Sequence, residues 1–214
     1  MSQAILNEIS MLLQQGRAPK VVEAVKAALE QGVGAKDILE EGLLAGMNVI
    51  GEKFKNNEVF VPEVLIAARA MNRGIAQLKP HLAEGDVEER GTVVIGTVKG
   101  DLHDIGKNLV RMMMEGKGLN VIDLGTDVDA ERYIAAAREH DADIIACSAL
   151  LTTTMGEMRT VVEKATEAGI RDRVRIMIGG APITQQYCDQ IGADAYTPDA
   201  STAAEVALKF CTGA

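Results

Sequence analysis

The stretch TVVIGTVKGDLHDIGKNL, residues 92–109, decides the fold, because an apolar β-branched run leads through a turn into a helical pattern. The run TVVIGT is typical of a strand that is buried on both faces. The turn holds two aspartates and a histidine between Gly100 and Gly106. A strand followed directly by a helix is the repeating part of a βαβ unit. The stretch therefore predicts a parallel sheet with a polar turn after its first strand.

Short apolar runs and helical stretches alternate through the rest of the chain. Further strands are predicted at NVIDLG (120–125), DIIACSAL (143–150), RVRIMIGG (173–180) and, more weakly, ADAYTP (193–198). Helices are predicted over 104–117, 129–140, 153–169, 182–191 and 199–211. Such alternation favours right-handed crossovers and an open α/β sandwich. We predict a flavodoxin-like (Rossmann-type) five-stranded parallel sheet with the strand order 2-1-3-4-5.

The first 80 residues have a helical period instead. Apolar side chains recur at helical spacing from the start of the chain, at Ile5, Leu6, Ile9, Leu12 and Leu13. Three more helices are predicted, the second ending near residue 30, the third at 38–54 and the fourth at 62–78, which together suggest a four-helix bundle. The acidic stretch HLAEGDVEERG, 81–91, predicts a linker. We therefore predict a helical bundle cap over 1–88 and an α/β domain over 89–214.

The composition limits the classes of partner. A formal net charge of −9 over 214 residues argues against nucleic acid and against an anionic membrane surface. No apolar run reaches the roughly 18 residues of a membrane span, and the N-terminus lacks the features of a secretion signal. Cys147, Cys188 and Cys211 are widely spaced and odd in number, which suits reduced thiols. We therefore predict a cytoplasmic protein without nucleic-acid or membrane partners.

The unusual stretches of the second half all follow predicted strands. SALLTTTM (148–155) follows the third strand, GGAP (179–182) ends the fourth, and TPDAST (197–202) ends the fifth. The carboxyl ends of parallel strands share one edge of a sheet, and ligands of such sheets bind at that edge. The sequence therefore predicts a ligand site there.

Common nucleotide and phosphate sites do not fit this edge. Gly100 and Gly106 enclose five residues rather than the four of a P-loop, and Asn108 stands where that loop needs a hydroxyl. No G-x-G-x-x-G follows the first strand, and Ser148 occupies the place of a phosphoacceptor aspartate. A P-loop, a dinucleotide-binding site and a phosphoacceptor site are therefore disfavoured.

Two ligand classes remain open from the residues alone. Asp101, His103 and Asp104 are all metal-ligand types, so a metal site is one alternative. The other is a large planar cofactor with a long tail, in which His103 binds a metal held by a macrocycle. Asp101 would then accept the other ring N–H, which fixes the tautomer and raises the basicity of the ligand. Gly179 and Gly180 would leave room for the tail.

Three motifs and the helical half resemble one known family. DLHDIG matches the D-x-H-x-x-G motif of cobalamin-binding domains, SAL at 148–150 matches their S-x-L, and GG at 179–180 matches their third element. The stretch FKNNEVFVPEVLIAARAM, 54–71, is similar to their helical cap. Over nearly its whole length the chain resembles small corrinoid proteins of methanogens and acetogens, and the cobalamin module of methionine synthase.

The resemblance implies a role for each matching residue. His103 would be the lower axial ligand of cobalt in place of the cofactor's benzimidazole, with Asp101 as its hydrogen-bond partner. Phe54 and Val61 fall where the family covers the methyl face of the corrin. The other implied cofactor-binding residues are Gly100, Leu102, Asp104, Ile105, Gly106, Ser148, Leu150, Thr152, Gly179, Gly180 and Ala200.

The family also implies a function in one-carbon metabolism. The protein would carry a methyl group on cobalt from a substrate-specific methyltransferase, of the methylamine or betaine type, to a second methyltransferase that serves tetrahydrofolate or a thiol. A reductive activase is a further implied partner, and methanol or methoxyarene systems stay open. Because cap and sheet take up the 214 residues, we expect a carrier subunit without catalytic activity of its own. The alternatives are a cobalamin-binding sensory or regulatory module and a mutase small subunit.

Overall fold

The structure is a computed structural model and describes residues 2–82 and 90–213. Of these, residues 2–82 belong to one compact unit, and the others, apart from 116–118, belong to a second. The predicted boundary between residues 88 and 89 lies outside the described residues, as does most of the predicted linker. Among the described helices, none is long and apolar enough to cross a membrane.

The first unit is helical, as its sequence period predicted. Pro62 lies in the first turn of its last long helix, and the carboxylate of Glu63 accepts a hydrogen bond from the amide of Phe60 at 3.0 Å, which closes the start of that helix. The apolar faces of the helices supply the core, for example Ile9, Val25 and Met71, each at most 1% exposed. The elements are α1 (Ser2–Gln14), α2 (Ala18–Glu30), α3 (Ala35–Asp37), a π-helical segment (Ile38–Leu44), α4 (Ala45–Lys55), α5 (Val61–Leu78) and a 3₁₀ turn (Lys79–His81).

The third helical segment has a feature that the sequence did not reveal. α3, the π-helical segment and α4 run on without a break, so the helix predicted over 38–54 is present and begins in the π-helical conformation. α4 lies close against α1, since a Cβ built on Gly46 would lie 3.0 Å from the carbonyl oxygen of Ser10.

The second unit is built on a parallel sheet. Five strands within residues 90–213 are arranged in the order β2-β1-β3-β4-β5, which confirms the predicted topology. Every residue of β1, an interior strand between β2 and β3, is buried, as its apolar run predicted. The strands are β1 (Thr92–Thr97), β2 (Asn120–Asp123), β3 (Ile144–Ser148), β4 (Arg175–Gly179) and β5 (Ala195–Tyr196), and the helices are α6 (Ile105–Gly116), α7 (Ala130–Glu139), α8 (Gly156–Glu167), α9 (Gln185–Ile191) and α10 (Ala200–Thr212).

The register brings the ends of three strands into line. Thr97 of β1 pairs with Ser148 of β3, and Ser148 in turn pairs with Gly179 of β4. The segments that follow these residues therefore leave the sheet side by side. α8 and α9 begin a few residues later than predicted, at Gly156 and Gln185, so the loops before them are longer.

Candidate functional site

Asp101 lies at the centre of the site, in the turn between β1 and α6. Its side chain is completely buried. One carboxylate oxygen, Oδ1, accepts hydrogen bonds from the backbone amide of His103 at 3.1 Å and from the ring Nδ1 of His103 at 2.7 Å. Asp101 therefore fixes both the backbone and the ring of His103.

The other oxygen of Asp101 connects this turn to the segment after β3. Oδ2 accepts hydrogen bonds from the amides of Leu150 at 2.8 Å and Leu151 at 3.2 Å. The hydroxyl of Thr154 lies 3.0 Å from the same oxygen and 2.9 Å from the carbonyl oxygen of Leu151. One buried carboxylate thus holds two loops that are about fifty residues apart in sequence.

The hydrogen bonds decide the charge of Asp101. Burial raises the pKa of this carboxyl, but the donors from His103, Leu150 and Leu151 outweigh it and hold the pKa well below its ordinary value. Asp101 is therefore an ionised acceptor, and the proton shared with His103 resides on Nδ1. The second ring nitrogen, Nε2, then keeps its lone pair available for a metal.

The backbone of His103 is also held from the sheet. The hydroxyl of Thr97, a fully buried residue at the end of β1, donates a hydrogen bond to the carbonyl oxygen of His103 at 2.8 Å. The side chain of His103 is 52% exposed. The imidazole is thus fixed at its base and accessible at its edge.

Large exposed apolar side chains lie near His103 in sequence and on the segment after β3. Leu102 and Ile105 are each 74% exposed, Leu150 is 45% exposed and Leu151 is 39% exposed. Leu102, Leu150 and Leu151 lie on the two loops that Asp101 connects, and Ile105 is the first residue of α6. Exposed apolar groups clustered at one edge of a sheet are typical of a binding surface for an apolar ligand.

The glycines at this edge have different roles. Gly180 has φ +132°, and a Cβ there would overlap the carbonyl oxygen of Ala149, so the fold itself requires glycine. At Gly179 the nearest atom to a built Cβ is the carbonyl oxygen of Thr197 at 3.6 Å, and at Gly106 a Cβ would meet nothing within 4 Å. The small size of Gly106 is therefore not required by protein packing.

The remaining predicted residues of the sheet unit lie along the same edge. Gly100, Asp104 and Thr152 are exposed, Ser148 is half-buried at the end of β3, and Ala200 is buried at the start of α10. Asp104 accepts hydrogen bonds from the backbone and side chain of Asn108 and so supports the first turn of α6. Phe54, in α4, and Val61, at the start of α5, belong to the helical unit, and their part in the site stays a prediction.

Several residues of the site were missed from the sequence. The hydroxyl of Thr154 contacts Asp101, and nothing in the run of three threonines marked Thr154 for this contact. Thr97 looked like an ordinary strand residue. Asp127 lies in the loop after β2 and accepts a hydrogen bond from the amide of Gly100 at 2.7 Å. Only the pairing of neighbouring strands brings these groups to the turn.

An ion pair between a buried lysine and a more exposed aspartate anchors the helix that follows His103. Lys107 is 2% exposed, and its Nζ lies 2.6 Å from both carboxylate oxygens of Asp123 at the end of β2. Burial raises the pKa of Asp123, but the hydrogen bond from Lys107 leads the interactions that lower it overall. In the described ranges, His, Cys, Asp and Glu side chains form no group of three or more that could hold a metal ion by themselves.

Comparison with known proteins places the chain in a family. The B12 binding domain family matches residues 91–208, and a second B12 binding domain family matches residues 5–79. Dimethylamine corrinoid protein 3 of Methanosarcina acetivorans is 43% identical over 94% of both chains. A corrinoid protein of Desulfitobacterium hafniense is 40% identical over 98% of this chain and 99% of its own.

A solved structure has the same fold. The crystal structure of the methanol:cobalamin methyltransferase complex MtaBC from Methanosarcina barkeri matches 99% of this chain and 81% of that chain, with a TM-score of 0.90 and 32% identity. The matches cover both the helical and the α/β unit. The chain therefore belongs to the family of B12-binding corrinoid proteins.

Proposed function

We propose that this protein binds a corrinoid with His103 as the lower axial ligand of cobalt and carries a methyl group between two methyltransferases. The observation that carries the proposal is the contact between buried, ionised Asp101 and Nδ1 of His103. It leaves Nε2 as the ring nitrogen with a free lone pair, and the carboxylate raises the basicity of that nitrogen.

The described residues fit a corrinoid in three respects. His103 supplies one nitrogen ligand, which suits a metal whose other ligands come from a macrocycle rather than from the protein. Leu102, Ile105, Leu150 and Leu151 supply the apolar surface that a corrin ring would cover. The open space at Gly106 suits a tail that passes beside the first turn of α6.

The chemistry divides between the cofactor and the chain. When bound, the corrinoid supplies a cobalt centre that accepts a methyl group and releases it again. Asp101 keeps the proton on Nδ1 of His103, and Thr97 and Thr154 hold the two loops on which this contact depends. The protein thereby positions the ligand and tunes it, as expected of a carrier subunit.

The relatives support a substrate-specific methyltransferase as the first partner. A methylamine-type enzyme is favoured by the dimethylamine corrinoid protein, while the methanol complex supports the same kind of pairing with another substrate. A second methyltransferase, which serves tetrahydrofolate or a thiol, and a reductive activase complete the proposed cycle. The free thiols of Cys147, Cys188 and Cys211 support a cytoplasmic location.

Isotope labelling tests the axial ligand directly. The protein is reconstituted with hydroxocobalamin, reduced to the cobalt(II) state and examined by electron paramagnetic resonance. We expect a nitrogen superhyperfine splitting that changes when histidine is labelled with ¹⁵N. A splitting that instead follows ¹⁵N in the benzimidazole would contradict the proposal, because the cofactor's own base would then occupy the axial position.

Gly106→Ala tests whether the space beside Gly106 is needed for ligand binding rather than for the stability of the fold. The apoprotein is expected to keep its free energy of unfolding or to gain up to about 1 kcal/mol, because alanine favours a helix. Corrinoid affinity is expected to fall, since overpacking costs roughly 1–3 kcal/mol, or roughly a 5- to 150-fold change in Kd. Gly156→Ala at the start of α8, where a Cβ also meets nothing, is the matched control. Unchanged corrinoid affinity in Gly106→Ala would exclude this helix start from the binding surface.

A further inference from the structure

Asp127 is a polar residue beside the site whose backbone conformation is unusual. It lies in the loop after β2, and its φ of +54° is in the left-handed region. Residues other than glycine rarely adopt this conformation, although aspartate and asparagine tolerate it better than most. An unusual backbone at the edge of a binding site is a reason to ask what it holds.

Two hydrogen bonds join Asp127 to the turn that precedes His103. Its carboxylate Oδ1 accepts from the amide of Gly100 at 2.7 Å, and its own amide donates to the carbonyl oxygen of Asp101 at 3.0 Å. The two hydrogen bonds are made to the adjacent residues Gly100 and Asp101. These hydrogen bonds therefore fix the direction in which the carboxylate of Asp101 leaves the backbone.

The loop that carries Asp127 is itself attached to β1. The amide of Thr97 donates to the carbonyl oxygen of Gly125 at 2.9 Å, and the amide of Val128 donates to the carbonyl oxygen of Thr97 at 3.0 Å. Val98 and Val128 form a parallel bridge just beyond the strand. The loop that carries Asp127 is thus held at β1, independently of the two hydrogen bonds that Asp127 makes with the turn.

We propose that Asp127 is a positioning residue for His103: it clamps Gly100 and Asp101 so that the carboxylate of Asp101 meets Nδ1 of His103. The inference rests on the proposed function only where it concerns cobalt. Asp127 is exposed, so the loss of its side chain leaves the core of the unit intact. Its effect is therefore on the geometry of the turn and not on the stability of the fold.

Three substitutions separate the two properties of Asp127. Asp127→Asn keeps an oxygen acceptor and the tolerance of positive φ. Asp127→Gly keeps the backbone conformation but removes the acceptor, and Asp127→Ala removes both. The matched control is Asp141, which also has a positive φ, of +46°, and whose carboxylate pairs with Arg173 at the opposite end of the strands. The same three substitutions at Asp141 measure the general effect of such changes.

The first measurement needs no cofactor. In the full-length apoprotein, ¹⁵N chemical shifts of the neutral His103 ring give the ratio of the Nδ1–H to the Nε2–H tautomer. We expect Asp127→Asn to match the unmodified protein. We expect Asp127→Gly and Asp127→Ala to lower the ratio roughly two- to tenfold, the effect of one hydrogen bond.

The second measurement uses hydroxocobalamin. The Kd is expected to rise by a similar factor in Asp127→Gly and Asp127→Ala, and the cobalt(II) spectrum is expected to gain a component without histidine coupling. The Asp141 variants are expected to leave both readouts unchanged.

Opposite results would overturn the inference. If Asp127→Gly behaves like the unmodified protein in both measurements, the carboxylate has no positioning role. If the Asp141 series gives the same shifts, the effect is a general one on loops. If the tautomer ratio responds as expected but the unmodified protein shows no histidine coupling to cobalt, the positioning role of Asp127 is supported and the proposed axial ligand is contradicted.

Discussion

Asp101→Ala is expected to lower the free energy of unfolding by about 3 kcal/mol and to weaken corrinoid binding roughly 10- to 100-fold. The carboxylate accepts from two backbone amides after β3, from the hydroxyl of Thr154 and from two groups of His103. Its removal leaves donors without partners in a partly buried site, and each costs roughly 1–3 kcal/mol where water cannot replace the acceptor. Urea denaturation of the apoprotein and titration with hydroxocobalamin measure the two effects.

Asp104→Ala is the control for this substitution. Asp104 lies on the same turn but is exposed, and it contacts only Asn108 among the described hydrogen bonds of its side chain. Its loss is expected to cost less than about 1 kcal/mol. Equal losses of stability in the two variants would show that Asp101 does not hold the two loops together.

The pH dependence of stability gives a separate test of Asp101. Because its pKa is lower in the folded protein than the roughly 3.9 of an unfolded chain, its contribution is fully present above about pH 5 and is lost as the pH falls below 4. Asp101→Asn removes this ionisation. We therefore expect the variant to lose less stability than the unmodified protein between about pH 5 and pH 2, and equal slopes would contradict the charge assigned to Asp101.

Gly180→Ala is expected to lower the free energy of unfolding by at least about 3 kcal/mol. A Cβ at this position would overlap the carbonyl oxygen of Ala149 and lie 2.9 Å from its carbonyl carbon, and neither backbone atom can move without disturbing the ends of β3 and β4. The positive φ of +132° adds strain for any other residue. Thermal or urea unfolding of the apoprotein measures the loss.

Gly169→Ala separates the two causes. Gly169 has a positive φ of +68°, but a Cβ there would meet nothing within 4 Å. Its replacement is expected to cost about 1–2 kcal/mol, the effect of the backbone conformation alone. If the two variants are destabilised equally, the close approach of Gly180 to Ala149 does not contribute.

The sequence by itself predicted the architecture of both units. Buried parallel strands appear in the sequence as continuous β-branched runs, and helices appear as a period of 3.6 residues. Both signals are local, so they can be recognised without knowing which segments pack together. The alternation of these elements indicated a parallel sheet, and the number of five strands favoured the flavodoxin-like order. The shared edge followed in turn, because all carboxyl ends of parallel strands lie on one side. The pairing of Asp101 with His103 was also local, since only one residue separates them.

Contacts between distant segments were decided by the tertiary structure alone. Asp101 and Thr154 are 53 residues apart, and their meeting depends on the register that aligns Thr97 with Ser148. The clamp from Asp127 depends in the same way on the loop after β2 lying beside the turn after β1. Neither contact leaves a periodic signal in the sequence, because a single polar side chain in a loop has the same local pattern whether it faces water or a partner. Apolar periodicity therefore determined the sheet and its edge, while strand register determined that Thr154 and Asp127 contact the turn that carries His103.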